Sequence, residues 1–359
     1  MTAKLSEKNI RDLQPPFIRR VLGSFIKEDP DRVQIPSEMD WMQLNRWITA
    51  HNLGPLFHHT LRRHTLPGQL QQQWQQTGMT ILFDNLRALK TATTLFSILD
   101  SAGIQAAAMR GLSLVNRIYP ESGLRGMRDV DILISPQDRE PLLKAMRAEN
   151  FEPHQFLRSQ YVYQIKGVTF EIHWSLLTAK RYRETLDSDV MLASRVPLDT
   201  PDGRMYCLSN DHELMGLITH AFIHHELTIM KQLVDIGLFA IHQPIDWDHV
   251  FHWCSGAHLT NMFGLTLGLV ERLFYLDQEL DTGPFKGCVP GMTQKNMAAY
   301  IEPFFGKTGL GQYLRLKKNL FFVAEDPLTK LNQFFRLITL TEARDIYNRY
   351  FFKTLRIKR

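Results

Sequence analysis

Leu124-Arg125-Gly126-Met127-Arg128-Asp129-Val130-Asp131-Ile132-Leu133-Ile134 reads as a loop that runs into a β-strand. Side chains on a strand alternate between its two faces. Asp129, Asp131 and Leu133 therefore share one face, and Val130, Ile132 and Ile134 share the other, which suits a core. Two carboxylates this close repel each other. A divalent cation removes that cost, and hard ions such as Mg²⁺ take one or two protein carboxylates together with substrate phosphates. The plain alternative is an exposed edge strand with two solvated acids, because a D-x-D pattern is short and common.

A second alternating run, Val168-Thr169-Phe170-Glu171-Ile172-His173-Trp174, sharpens the choice. Val168, Phe170, Ile172 and Trp174 point one way, and Thr169, Glu171 and His173 the other. If both strands lie in one sheet with their apolar faces on the same side, Glu171 joins Asp129 and Asp131 on the opposite side. Three carboxylates from two strands can hold two divalent ions, with substrate phosphate completing the shells. The competing reading pairs Glu171 across strands with a basic neighbour.

Working outward, the strands sit in a small unit. Ile104 to Met109 is a first strand. Arg110-Gly111-Leu112-Ser113 turns into a helix carrying Leu114, Val115 and Ile118. Glycine and a hydroxyl at a helix start can seat a phosphate, although an ordinary N-cap explains Ser113 equally. Ser135-Pro136-Gln137-Asp138 opens a helix to about residue 150, and Gln160–Ile165 and Val168–Trp174 flank a turn at Lys166-Gly167. The order is helix, strand, helix, strand, helix, strand, strand, which predicts an α+β protein with a mixed sheet.

Residues 1–78 read as a helical region. Pro15-Pro16 is expected to end one helix and start another at Phe17. Trp41, Leu44, Trp47 and Ile48 share a helix face, and Pro67-Gly68 breaks the chain. A long helical pattern fills 80–102, with Gly103 as its cap. These boundaries give three regions: 1–78, a core at 79–204, and a helical region at 205–359. In the last, His220 and His224 stand four apart on one helix face, as do Lys231 and Asp235. Two such histidines with a distal aspartate match a metallohydrolase helix, or the polar interior of a bundle. Arg344 to Arg359 interleaves basic and aromatic residues, which fits a packed terminal helix better than a membrane or nucleic-acid contact.

The chain has 359 residues, enough for a large core. Its net charge of +5 suits polyphosphate substrates but is too small to point to nucleic acid. Cys207, Cys254 and Cys288 are far apart and form no C-x-x-C pair, so a reducing compartment is expected. With no apolar signal core at the N-terminus and no apolar run long enough to span a bilayer, the expected location is the cytoplasm.

The sequence of Arg110, Gly111 and Ser113, then Leu124-Arg125, then Asp129-Val130-Asp131-Ile132-Leu133-Ile134, then Phe170-Glu171-Ile172-His173-Trp174 resembles the uncharacterised nucleotidyltransferases of the polymerase-β-like nucleotidyltransferase superfamily. Asp40-Trp41, His51-Asn52, Pro55-Leu56, His220, His224, Leu233 and Asp235 extend the resemblance over most of the chain. It implies a nucleotidyltransferase core flanked by N-terminal helices and a C-terminal helical domain. It also implies Mg²⁺, as one or two ions, on Asp129, Asp131 and Glu171, and an NTP whose triphosphate rests at Gly111 and Ser113. Arg110, Arg125, Arg128, His173, His220, His224, Lys231 and Asp235 are the further residues it places around the nucleotide, with Arg125 the better placed of the two loop arginines. The implied reaction moves an NMP group to an unidentified hydroxyl on a small molecule, sugar or protein. An inactive nucleotide-binding scaffold of the same fold is the first alternative, and a hydrolase built on His220, His224 and Asp235 the second.

Overall fold

The computed structural model describes residues 7–157, 159–176, 187–277, 279–286, 288, 300–302 and 304–305. The expected basic helix at 344–359 lies outside them. The protein is α+β. Helices α1 (Glu7–Ile26), α2 (Trp41–His51), α3 (Gly54–Thr60) and α4 (Gly68–Ser101) precede the sheet. Strands β1 (Ala106–Met109) and β2 (Val130–Ile134) flank α5 (Gly111–Arg117). Then come α6 (Arg139–Ala148), β3 (Gln155–Phe156), β4 (Gln160–Ile165), β5 (Val168–His173), α7 (Ser188–Ala193), β6 (Val196–Thr200) and β7 (Gly203–Cys207). Among the described residues, the α-helices that follow are α8 (Asn210–Thr219), α9 (Met230–His242), α10 (Trp247–Gly256) and α11 (Thr260–Phe274). Among the described residues, no helix is long and apolar enough to cross a membrane.

The strands form one mixed sheet in the order β3-β4-β5-β2-β1-β7-β6. β2 lies at its centre, antiparallel to β1 and parallel to β5. The register sets Asp131 opposite Met109 on one side and opposite Glu171 on the other. Ala106, Ala108, Val130, Ile132, Ile134, Phe170 and Ile172 bury one face of the sheet against α4 and α6, through Leu95, Leu99, Leu142 and Met146. Both faces are covered, however. Ala107, Met109 and Leu133 belong to a second core shared with α1, α2, α9 and α11, through Phe17, Leu44, Phe239, Phe263 and Leu273. The carboxylate face is thus the floor of an interior rather than an outer surface.

Local chemistry accounts for most of the element ends. Asp40 caps α2 by accepting the Gln43 N–H at 2.9 Å, and Asn52 closes it in a left-handed conformation. Gly103, at φ 72°, closes α4, with the Ile104 N–H on the Leu99 carbonyl at 2.9 Å. Pro15 and Pro16 do not divide the first helix; α1 runs through both. Two interior prolines cost roughly 3 kcal/mol or more each. Full burial of Phe17, Ile18, Val21 and Leu22 returns about 6–12 kcal/mol, so packing outweighs propensity. α1 also crosses α11 closely. A Cβ on Gly23 would overlap the Phe274 carbonyl oxygen, and Arg19 donates to the Leu273 carbonyl at 2.9 Å.

The β6–β7 hairpin is not among the expected strands, and β7 ends at Cys207, just past the expected end of the core at 204. Its signal was present: Val196, Leu198 and Thr200 alternate into Pro201-Asp202-Gly203, and Met205 and Cys207 alternate out of it. Leu198, Met205 and Cys207 are buried accordingly.

Candidate active site

The site lies on the covered face of β2 and β5, beneath α5 and the segment that follows α8. Parallel pairing puts Glu171 beside Asp131, and strand parity puts His173 on the same face as both. The His173 Nε2 stands 2.9 Å from Asp131 Oδ1 and 3.6 Å from Glu171 Oε2. Among the described residues, Asp131, Glu171 and His173 form the group whose potential ligand atoms all lie within 4.8 Å of one another. Asp131 and His173 are buried. Glu171 is half-buried and accepts a hydrogen bond from Gln160 Nε2 at 2.6 Å.

Of the expected ligand set Asp129, Asp131 and Glu171, the compact group includes Asp131 and Glu171, with His173 in place of Asp129. Asp129 precedes β2 and is half-exposed. Its carboxyl is pushed up, by burial first and then by the charges of Asp131 and Glu171. It belongs to the same electrostatic field without sharing the same centre.

A native cation already faces Asp131. Arg110 Nη1 donates to Asp131 Oδ1 at 3.1 Å, and Arg110 Nε is buried without a hydrogen-bond partner among the described residues. Burial pushes the Asp131 carboxyl up, but Arg110 and His173 outweigh it and hold the group well below the usual carboxylate range. The Arg110 backbone has φ 54° and ψ −124°, a conformation that costs a residue with a side chain roughly 1–3 kcal/mol. Glu213 holds it there by accepting the Arg110 N–H at 2.6 Å. Glu213 is 1% exposed. Burial pushes its carboxyl up to about 7, against the opposing pull of Arg117, the Arg110 N–H and Ser113.

The turn after Arg110 is not an open phosphate seat. Ser113 is fully buried; its hydroxyl accepts from Arg117 Nη1 at 3.2 Å. Gly111 is buried too, and a Cβ there would press on Met127 and Arg125. The glycine serves close packing against the loop instead of approach by a ligand.

Arg125 and Asp235 are placed together. Arg125 is 7% exposed and forms a two-pronged pair with Asp235: Nε to Oδ1 and Nη2 to Oδ2, both at 2.8 Å. Tyr119 donates its hydroxyl to Asp235 Oδ1 at 2.7 Å. Asp235 is therefore engaged in a buried network with Arg125 and Tyr119. Asn85 donates to the Ser122 and Arg125 carbonyls at 2.6 and 2.8 Å, and Lys231 Nζ to the Gly126 carbonyl at 2.9 Å. Burial pushes the Lys231 ammonium down to about 8. These side chains pin the loop that delivers Asp129 and Asp131. Arg128 is exposed on that loop.

His220 and His224 lie where the Arg110 charge acts on them. They bound a π-helical turn, His220–His224, with ring centroids 5.1 Å apart. Such turns are frequent at functional sites. His220 Nε2 lies 3.1 Å from His225 Nε2. Burial pushes the His220 imidazole down to about 2, and the neighbouring Arg110 charge adds to the effect. Burial and then Arg110 likewise lower His224 and His225. Glu213 and the Arg110–Asp131 pair escaped sequence reasoning. The available signal was a glutamate leading into the apolar run Leu214–Ile218 of α8, where His212 to Thr219 are all buried.

Two carboxylates and an imidazole in one cluster can bind a divalent cation, the equipment of phosphoryl and nucleotidyl transfer. A sequence model of the family described as uncharacterised nucleotidyltransferases matches residues 37–275. The chain belongs to that family. Comparison with curated protein sequences gives no match. Among solved structures, similarity is found to the antibiotic-resistance factor ANT(2'')-Ia in solution, with 10% identity over 54% of this chain and 96% of that one, and a TM-score of 0.34. The crystal structure of ANT(2")-Ia in complex with adenylyl-2"-tobramycin gives 12% identity over 46% and 97%, with a TM-score of 0.35. An antigenic nucleotidyltransferase-like protein from Paracoccidioides brasiliensis gives 20% identity over 42% and 75%, with a TM-score of 0.33.

Proposed function

We propose that the chain moves a nucleoside monophosphate group from an NTP to a hydroxyl acceptor, in a reaction that depends on a divalent cation. The observation that carries this reading is the convergence of Asp131, Glu171 and His173 on adjacent parallel strands. Donor atoms within 4.8 Å of one another suit a single cation, because ligands around such an ion lie about 3–4 Å apart. Asp131, Glu171 and His173 would hold it. When bound, the ion supplies charge that polarises the phosphate oxygens.

The chain's own groups do the remainder. Arg110 brings positive charge to the edge of the carboxylate cluster, where it neutralises phosphate oxygens. Asp129, its proton affinity raised by burial and by two neighbouring acids, takes the proton of the acceptor hydroxyl. The acceptor oxygen bonds to the α-phosphorus as the bond to pyrophosphate breaks. Burial and the Arg110 charge disfavour protonation of His220, His224 and His225, which limits further positive charge near Arg110.

The test is calorimetric titration of Mg-ATP, and of the other Mg-NTPs, into the wild type and Asp131→Ala, with circular dichroism to verify the fold. Binding by the wild type and loss of binding in a folded Asp131→Ala variant are expected. Equal binding by both proteins counts against the proposal. A non-catalytic second reading is favoured by the Arg110–Asp131 contact, in which a resident guanidinium fills the cation position; it predicts no metal-dependent NTP binding in either protein.

A further inference from the structure

The donor set at the centre of the site is not the all-oxygen set that Mg²⁺ selects. Mg²⁺ requires oxygen ligands and keeps several waters. Here one of three converging donors is an imidazole nitrogen, and Asp131 and His173 are 7% and 5% exposed, which leaves little space for a retained water shell. Imidazole nitrogen favours first-row transition ions, while carboxylates remain acceptable to manganese. The imidazole is also rigidly aimed. His173 ends a strand whose register with β2 runs from Val130–Phe170 to Leu133–His173, and its Nε2 lies within 3.6 Å of an oxygen from each acid.

We infer that His173 Nε2 is a direct ligand, with Asp131 and Glu171, to a divalent first-row transition ion of the Mn²⁺ type, in preference to Mg²⁺. The inference deepens the transferase reading and rests on it for what the ion does. Ligation requires the Nε2 lone pair, so the loaded histidine carries its proton on Nδ1. The hydrogen bond between His173 and Asp131 is replaced by two bonds to one cation, and Arg110 yields its place on Asp131 Oδ1.

The experiment uses the full chain, stripped with a chelator and titrated with MnCl₂ or MgCl₂ without nucleotide. Free Mn²⁺ is followed by electron paramagnetic resonance, and nitrogen coupling to bound Mn²⁺ by electron spin-echo modulation. Arg110→Gln is measured in parallel, because it removes the competing guanidinium. In the wild type or in Arg110→Gln, Mn²⁺ is expected to bind roughly tenfold or more tightly than Mg²⁺, with ¹⁴N coupling from one imidazole. His173→Gln, which offers an oxygen near the Nε2 position, is expected to keep a bound ion and lose the coupling. Absence of Mn²⁺ binding in both proteins overturns the inference, as does bound Mn²⁺ without ¹⁴N coupling, or coupling that survives in His173→Gln. If Mg-NTP binds while Mn²⁺ shows no nitrogen ligand, this inference fails and the transferase reading stands. If the coupling is present while no NTP binds, the reverse holds.

Discussion

Replacing Asp235 with alanine tests whether this residue organises the site or belongs to its chemistry. Its side chain is 1% exposed, and both of its oxygens accept from Arg125, whose side chain is 8% exposed. Removing one member of a buried pair strands the other, at about 3–5 kcal/mol. Tyr119 also loses its acceptor, and an unpaired buried hydroxyl adds about 1–3 kcal/mol. Asp235→Ala should therefore lower the unfolding free energy by about 4 kcal/mol or more. The double variant Arg125→Met with Asp235→Leu removes both charges and is expected to recover most of the loss, because apolar replacement of a buried pair is often neutral. Urea unfolding followed by circular dichroism measures both. A single variant within about 1 kcal/mol of wild type, or a double variant no better than the single, would refute the structural role. Such a result would return Asp235 to the list of possible ligands.

Glu213→Gln tests the buried carboxyl behind Arg110. Its folded-state affinity for protons is raised to about 7, so the native state holds the proton where the unfolded chain has released it. Its contribution to stability is full below about pH 4.5 and is lost as pH rises to about 7. Glutamine keeps an acceptor for the Arg110 N–H without charging, so at pH 8 the variant should exceed wild type by up to about 3 kcal/mol, with little difference at pH 4.5. Parallel pH profiles of unfolding midpoints would exclude this assignment. Gly23→Ala pushes a methyl onto the Phe274 carbonyl oxygen and should cost about 1–3 kcal/mol. An unchanged melting temperature would mean that α1 and α11 are not locked at that crossing.

The parts of the fold that sequence revealed are those where one period dominates. Val168 to Trp174 alternates cleanly, and its strand, its turn at Lys166-Gly167 and its antiparallel partner all form. Leu95 and Leu99 recur at helical spacing, and Gly103 closes their helix. The site was legible to the extent that it follows strand parity, which puts Glu171 and His173 on one side. It failed where a side chain's role depends on distant elements. Arg125 lies 110 residues from Asp235 and Glu213 lies 103 from Arg110, and no local pattern announces either contact. Ser113 misled because a hydroxyl at a helix start looks the same whether it faces a phosphate or a buried carboxylate. Pro15-Pro16 misled because intrinsic propensity is weaker than the burial of four large neighbours.

The clasp between α1 and α11 has a consequence for synthesis. Arg19 and the Leu273 carbonyl it binds are 254 residues apart. At translation rates of about 5–20 residues per second, some 10–50 s separate their emergence from the ribosome. Through that interval α1 can pack on α3, while the face that meets α11 waits for its partner. The nascent chain must carry that face uncovered or lodged against a temporary partner, so α1 is completed only after α11 has emerged.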